Sequence, residues 1–247
     1  MTEVLGAGIG LAYALLARRA RLARRPAPSL TRVYAFLAGV AVLTLASSGV
    51  FDAYAHRAFS AHMLQHMLFM IAAAPLVSAG RPLSVFGIQP RPGGGVSPGP
   101  AAIVAAIAVN ALLLVWHLPV AYEAALLVDP IHAAEHLLLF GASVLYWLIL
   151  GGDLSGGRRP SSEVTLLTLF ATWMACDLLG AVLTLSEQLY YPWYALTPKP
   201  GDLSPIQDQR LGGLVMWVGG GVFYAVAMLL VLIGLRGGAR RSVQAAE

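Results

Sequence analysis

Cysteine occurs once in the 247 residues, at Cys176, and lysine once, at Lys199. A lone cysteine excludes an internal disulfide framework and any CxxC metal or redox motif. The single lysine falls in a connecting segment, so no buried Schiff base is available and a retinal pigment is excluded. Charge is scarce as well: 11% of residues are charged and 58% are hydrophobic. No polar stretch between the apolar runs is long enough to fold as a soluble domain. What remains is a chain built for lipid.

The apolar runs fall at 4–18, 33–50, 60–79, 99–117, 131–150, 163–185 and 211–235. Crossing roughly 30 Å of hydrocarbon as a helix takes about 18 residues or more, and six of the runs reach that length. The first is short. Glu3 precedes it and arginines follow it, so it lacks the basic n-region of a signal peptide and reads as a tilted or thin first helix. Lipid leaves no partner for an exposed backbone N–H or C=O. The expected fold is therefore all-α: one integral membrane domain over 1–247, a polytopic bundle of about seven transmembrane helices.

Basic residues set the expected orientation. Arg18, Arg19, Arg21, Arg24, Arg25 and Arg32 separate the first two runs; Arg81 and Arg91 follow the third, Arg158 and Arg159 the fifth, and Arg236, Arg240 and Arg241 the last. Only Arg57, Lys199 and Arg210 fall on the opposite side. The positive-inside rule makes the arginine-rich side cytoplasmic, with the C-terminus inside and the N-terminus outside. The net charge of +4 is then accounted for by topology and by contact with anionic lipid, with no nucleic acid required. QPRPGGGVSPGP (89–100) reads as a flexible cytoplasmic linker. The outer segment 186–210 carries Tyr190, Tyr191, Trp193 and Tyr194, aromatics suited to the headgroup boundary.

All six histidines map to the side opposite the arginines. His56 precedes the third run, His62 and His66 open it, His117 ends the fourth, and His132 and His136 open the fifth. His62 and His66 stand at i and i+4 on one helical face, as do His132 and His136. Such pairs chelate one ion or contribute to neighbouring sites, and spacing alone leaves one site or two open. Imidazole suits copper, zinc, iron and nickel, whereas a thioether selects Cu(I). Met63 and Met67, beside the first pair, therefore turn the expectation toward copper, with zinc and haem still open. Glu135 and Glu123 are placed to orient ligating imidazoles. Asp177 lies deeper in the sixth run, where an ionisable group needs a partner, expected to be a histidine or the ion. Cys176 reads as packing.

Three segments resemble one family: HMLQHMLFMIAAAPLVSAGRPL (62–83), VWHLPVAYEAALLVDPIHAAEHLLLF (115–140) and LSPIQDQRLGGLVMWVGGG (203–221). They are similar, in order and spacing, to the CtaG-type cytochrome c oxidase assembly factors of bacterial plasma membranes. The resemblance runs from about residue 30 onward and includes the seven-helix layout. It implies a non-enzymatic protein of the plasma membrane that helps form haem-copper oxidase and delivers copper at the extracytoplasmic face toward the CuA centre. The implied partner is an oxidase subunit or a copper chaperone. The family pattern falls on His62, His66, Trp116, His117, His132, Glu135, His136, Asp208 and Gln209. Arg210 and Gly219 depart from it, standing where many relatives carry glutamine and proline. The residues alone also admit a copper importer using the same site, a haem b protein ligated from two helices, and an intramembrane zinc hydrolase using HxxxH with Asp177.

Overall fold

The computed structural model describes residues 2–24, 27–88, 95–197 and 201–244, with side chains described from 6 to 235. Arg25, Arg91, Lys199 and half of the 89–100 linker lie outside the described residues, as do the side chains of Glu3, Arg236, Arg240 and Arg241. The chain forms α1 (Thr2–Leu22), α2 (Leu30–Ala46), α3 (Gly49–Ala55) and α4 (Phe59–Met67). A π-helical turn (Leu68–Ala73) leads into α5 (Ala74–Ala79) and α6 (Pro82–Val85). Then come α7 (Pro98–Trp116), α8 (Pro119–Leu127), α9 (Asp129–Gly151), a 3-10 turn (Asp153–Ser155), α10 (Ser162–Leu185), α11 (Trp193–Leu196) and α12 (Pro205–Gln244). No strand occurs among the described residues.

Among the described residues, five helical segments are long and apolar enough to cross a membrane: Phe59–Val85, Pro98–Trp116, Asp129–Gly151, Ser162–Leu185 and Pro205–Leu235. A sixth results if α2 and α3 are taken as one span bent by 55°. The second apolar run was expected to continue to residue 50, but it breaks at Ser47–Ser48. The reason is local. Ser47 Oγ turns back to the Leu43 carbonyl at 2.7 Å, and Ser48 Oγ accepts from Phe51 N as the cap of a new helix. The first run forms a helix longer than expected, although α1 is not among the five spans.

The spans close into a ring. α4 packs on α12, α12 on α10, α10 on α7, α7 on α9, and α9 on α5 and the π turn. α2 lies outside this ring against α5, and α1 lies outside α2. Tyr13 of α1 stacks on Phe36 of α2 at 3.9 Å and donates to the Gly80 carbonyl, which fixes that outer row. Large apolar side chains such as Leu137, Leu178, Val222 and Leu230 are more than half exposed on the outer surface. In water such a surface would be a liability; facing acyl chains it is satisfied.

Small residues let the helices approach. A Cβ added to Gly180 of α10 would meet the Gly213 carbonyl oxygen and Trp217 N of α12 at 2.8 Å. Backbone is what lies there, so the neighbour cannot rotate aside. A Cβ added to Gly219, by contrast, meets nothing within 4 Å. Gly180→Val should therefore lower the thermal midpoint in detergent, at a cost of about 1–3 kcal/mol for overpacking. Gly219→Val should leave it within experimental scatter, and equal midpoints for the two variants would contradict this packing.

Candidate metal centre

Two turns of α4 carry His62, Met63, His66 and Met67, all buried. The start of α4 is fixed from a distance. Its N-cap, Ala58, has no side chain to satisfy the first N–H groups. Asp208 of α12 supplies that function, accepting from Phe59 N at 2.7 Å, Ser60 N at 3.2 Å and Ser60 Oγ at 2.5 Å. A carboxylate at a helix N-terminus also complements the helix dipole. Beyond Met67 the helix widens into the π turn, with Ala74 N bonded to the Phe69 carbonyl. That widening absorbs Pro75, whose ring and missing N–H do not fit a regular α-helical interior.

α9 faces α4 with His132, Glu135 and His136. One ligand atom each from His62, His66, Glu135 and His136 lies within 4.8 Å of all the others. His62 Nε2 and His66 Nε2 are 2.9 Å apart, and each stands 3.6 Å from a different oxygen of Glu135. Ligands around a tetrahedral ion with bonds near 2.05 Å sit roughly 3.3 Å from one another. Both Glu135 oxygens and His136 Nε2 are buried without a hydrogen-bond partner. A buried carboxylate without proton donors is costly, and a cation among these atoms removes the cost. This set fits a metal ion.

The ring orientations follow from the hydrogen bonds behind them. Tyr194 OH donates to the Ala55 carbonyl, which can only accept. Burial holds the Tyr122 and Tyr194 phenols well above the ordinary tyrosine range, so both keep their protons. Tyr194 has already given its proton to Ala55, so Tyr122 OH donates to it at 2.9 Å. His62 Nδ1, at 3.3 Å from the same oxygen, must then be the protonated nitrogen. His62 Nε2 is left with a lone pair aimed at His66 and Glu135. His117 follows the same logic. Its Nδ1 donates to the Leu113 carbonyl at 2.7 Å, so the Nε2 lone pair faces Met63 Sδ at 3.2 Å. Two electron-pair donors meet there with no proton between them.

The remaining sequence candidates separate. His132 does not share the cage of His136. It groups instead with Asp52 and His56, their ligand atoms lying within 4.8 Å of one another. Met67 faces α10 and α12, near Cys176 and Gly220, and belongs to the core. Cys176 packs there too, its Sγ 3.6 Å from the Met216 carbonyl. Asp177, expected to meet a histidine or the ion, accepts instead from Trp173 Nε1 at 2.6 Å, one turn away on its own helix. Glu123, expected behind an imidazole, accepts from Trp193 N. Trp116 packs against the core with its Nε1 unpartnered.

Gln209 accepts from Tyr190 N and donates to the Gln188 carbonyl, pinning the segment that bears the tyrosines. Tyr191 and Tyr194, expected to face lipid headgroups, turn inward instead. Each is 1% exposed, folded over Phe59 and His62, and Tyr191 OH donates to the His117 carbonyl. Asp52 escaped the sequence reading, although it stands four residues before His56 just after the Ser-Ser-Gly break. Tyr194→Phe removes the acceptor that orients His62 and should weaken metal binding by about 10- to 100-fold in competition titrations. Tyr190→Phe should leave binding unchanged.

The chain is 26% identical over 230 residues to an uncharacterized protein of Mycobacterium leprae, covering 85% of this chain and 34% of that one. It is 27% identical over 233 residues to uncharacterized proteins of Mycobacterium bovis and Mycobacterium tuberculosis, covering 85% of this chain and 35% of each. It thus spans about a third of the length of these curated relatives. No solved structure matches. The model of the cytochrome c oxidase caa3 assembly factors matches residues 11–237, nearly the whole chain and every residue of both histidine clusters, and the chain belongs to that family.

Proposed function

We propose that this protein binds copper at the extracytoplasmic end of its bundle and hands it to a haem-copper cytochrome c oxidase during assembly, toward the CuA centre. Copper is cargo in this reading, and the protein performs no catalysis. The observation that carries it is the convergence of His62, His66, Glu135 and His136 around unpartnered buried lone pairs, in a member of an oxidase assembly family. The metal preference rests on Met63. An unprotonated imidazole facing a thioether at 3.2 Å is a donor pair suited to Cu(I) and poorly suited to harder ions.

The orientation is part of the same proposal. Arg32, Arg81 and Arg159 line a cavity at the end of the bundle opposite the histidines. With that end in the cytoplasm of a bacterial plasma membrane, the histidine end meets the compartment in which CuA is assembled. The expected topology has seven helices, with α1 and the bent α2–α3 pair each counted once, the N-terminus outside and the C-terminus inside. The ion leaves by ligand exchange, to an oxidase subunit or to a copper chaperone that docks at the histidine end. Transporters usually hold their substrate near the midplane on broken helices, whereas these ligands occupy the first two turns of α4 and the site end of α9. That placement favours delivery over transport.

Metal analysis of purified protein, with oxidase activity of the same cells, tests this reading. In the His62→Ala/His66→Ala protein, copper affinity should fall more than about 100-fold, beyond the loss that outer-shell changes cause. Oxidase activity should fall with it while the variant still reaches the membrane. Unchanged copper content and unchanged oxidase activity would overturn the assignment. Net copper uptake into proteoliposomes would replace delivery with transport.

A further inference from the structure

Next to the buried cage lies a second set of ligand atoms. We infer that Asp52, His56 and His132 form a separate, shallow ion station through which copper enters and leaves the buried cage. The inference rests on the delivery reading above but concerns different residues.

The geometry distinguishes a metal site from an ordinary polar cluster. His56 Nε2 lies 3.9 Å from Asp52 Oδ2, and His132 Nε2 lies 4.0 Å from Asp52 Oδ1. A direct hydrogen bond would bring these pairs to about 2.7–2.9 Å. At the observed spacing the side chains do not bond to one another, yet one ligand atom from each lies within 4.8 Å of the other two. His132 is 7% exposed, and its Nε2 is buried without a hydrogen-bond partner. The trio is also held in place. Gln65 of α4 donates to both the Ala46 carbonyl at 2.8 Å and Asp52 Oδ1 at 3.3 Å, which anchors the bent start of α3 to the helix carrying the cage. Trp193 Nε1 donates to the His56 carbonyl and Tyr194 OH to that of Ala55, fixing the other end of α3.

Exposure gives the two sites different roles. The side chains of Asp52 and His56 are 38% and 29% exposed, whereas those of His62, His66 and Glu135 are 1%, 3% and 0% exposed. An ion on the trio is within reach of a docking partner; an ion in the cage is not. The imidazoles also form a file. The His56 ring centroid is 4.8 Å from that of His132, and His132 is 4.2 Å from His136 and 5.4 Å from His62. His132 therefore touches both sites. An ion can exchange one ligand at a time along this file without becoming free. The imidazoles of His56 and His132 accept copper in either oxidation state, so the ion can pass as Cu(I) with no electron gained or lost.

Full-length protein stripped by chelator and titrated with Cu(I) under anaerobic, reducing conditions tests the inference, read by metal stoichiometry and by copper-edge X-ray absorption. The wild type should hold two ions per chain. Asp52→Asn/His56→Ala should hold one, with cage affinity unchanged and transfer of that ion to an external chelator slowed at least tenfold. The single variant Asp52→Asn retains the acceptor for Gln65, so a loss of the second ion there cannot be attributed to misfolding. The His62→Ala/His66→Ala protein should keep one ion, and that ion should disappear when Asp52→Asn/His56→Ala is added. A wild type that binds one ion, insensitive to Asp52 and His56 in stoichiometry and transfer rate, overturns the shallow station and leaves the delivery reading standing. A wild type that binds no ion overturns both.

Discussion

Glu135 buries both carboxylate oxygens inside a membrane bundle with no proton donor bonded to either. In lipid such a group costs several kcal/mol unless a positive charge meets it. Two imidazole nitrogens stand 3.6 Å from it, too far for hydrogen bonds. The arrangement gathers imidazoles around a carboxylate whose oxygens no neighbouring donor satisfies. Much of the surrounding structure keeps it that way. Asp208 fixes where α4 begins, the π turn that follows Met67 absorbs Pro75, and Tyr122 and Tyr194 hold the His62 proton on the side facing away from the cage.

The same constraint explains why irregular backbone collects where it does. The lipid-facing parts of the bundle are plain helix, as an apolar solvent demands. The bend between α2 and α3, the short helix α8 and the folded segment around α11 all gather around the histidines. Their polar groups are paired within the protein: Tyr191 with the His117 carbonyl, Trp193 with the His56 carbonyl, Gln209 with the backbone of its neighbour loop. Non-helical chain at this depth is tolerated only when it is roofed or lines a polar cavity. Here the roof both satisfies the backbone and orients the ligands.

How much of this was legible follows from what each feature depends on. Long apolar runs read directly as helices, because the length of hydrocarbon fixes the length of the run. The pair His62 and His66 was legible for the same reason: i,i+4 spacing puts both on one face whatever surrounds it. The pair His132 and His136 looked identical in sequence and behaves differently. Which ring enters the cage depends on how α9 is rotated against α4, and that angle comes from tertiary packing. Asp177 read as a partner of the histidines because an intramembrane carboxylate needs one, yet Trp173 on its own helix already supplies the donor. Tyr191 and Tyr194 read as interfacial because a phenol suits a headgroup and a buried hydrogen bond equally well. The bend that carries Asp52 to His132 was written in Ser47, Ser48 and Gly49, small residues whose hydroxyls compete with the helix, but its direction was not.

Asp208 and Gln209 illustrate how a motif can serve a site without touching it. Neither lies in either histidine cluster, yet they are adjacent on α12 and hold α4 and the tyrosine-bearing segment folded over it. Asp208 sets the axial position of α4, and therefore the height of His62 and His66 relative to Glu135. Gln209 holds the segment whose Tyr194 sets the His62 ring. A shift of α4 by one residue would turn its side chains by about 100° and remove both imidazoles from the cage. A dipeptide on a neighbouring helix is thus as strict a requirement for the His62, His66, Glu135 and His136 cluster as its own side chains, because it determines the register in which they meet.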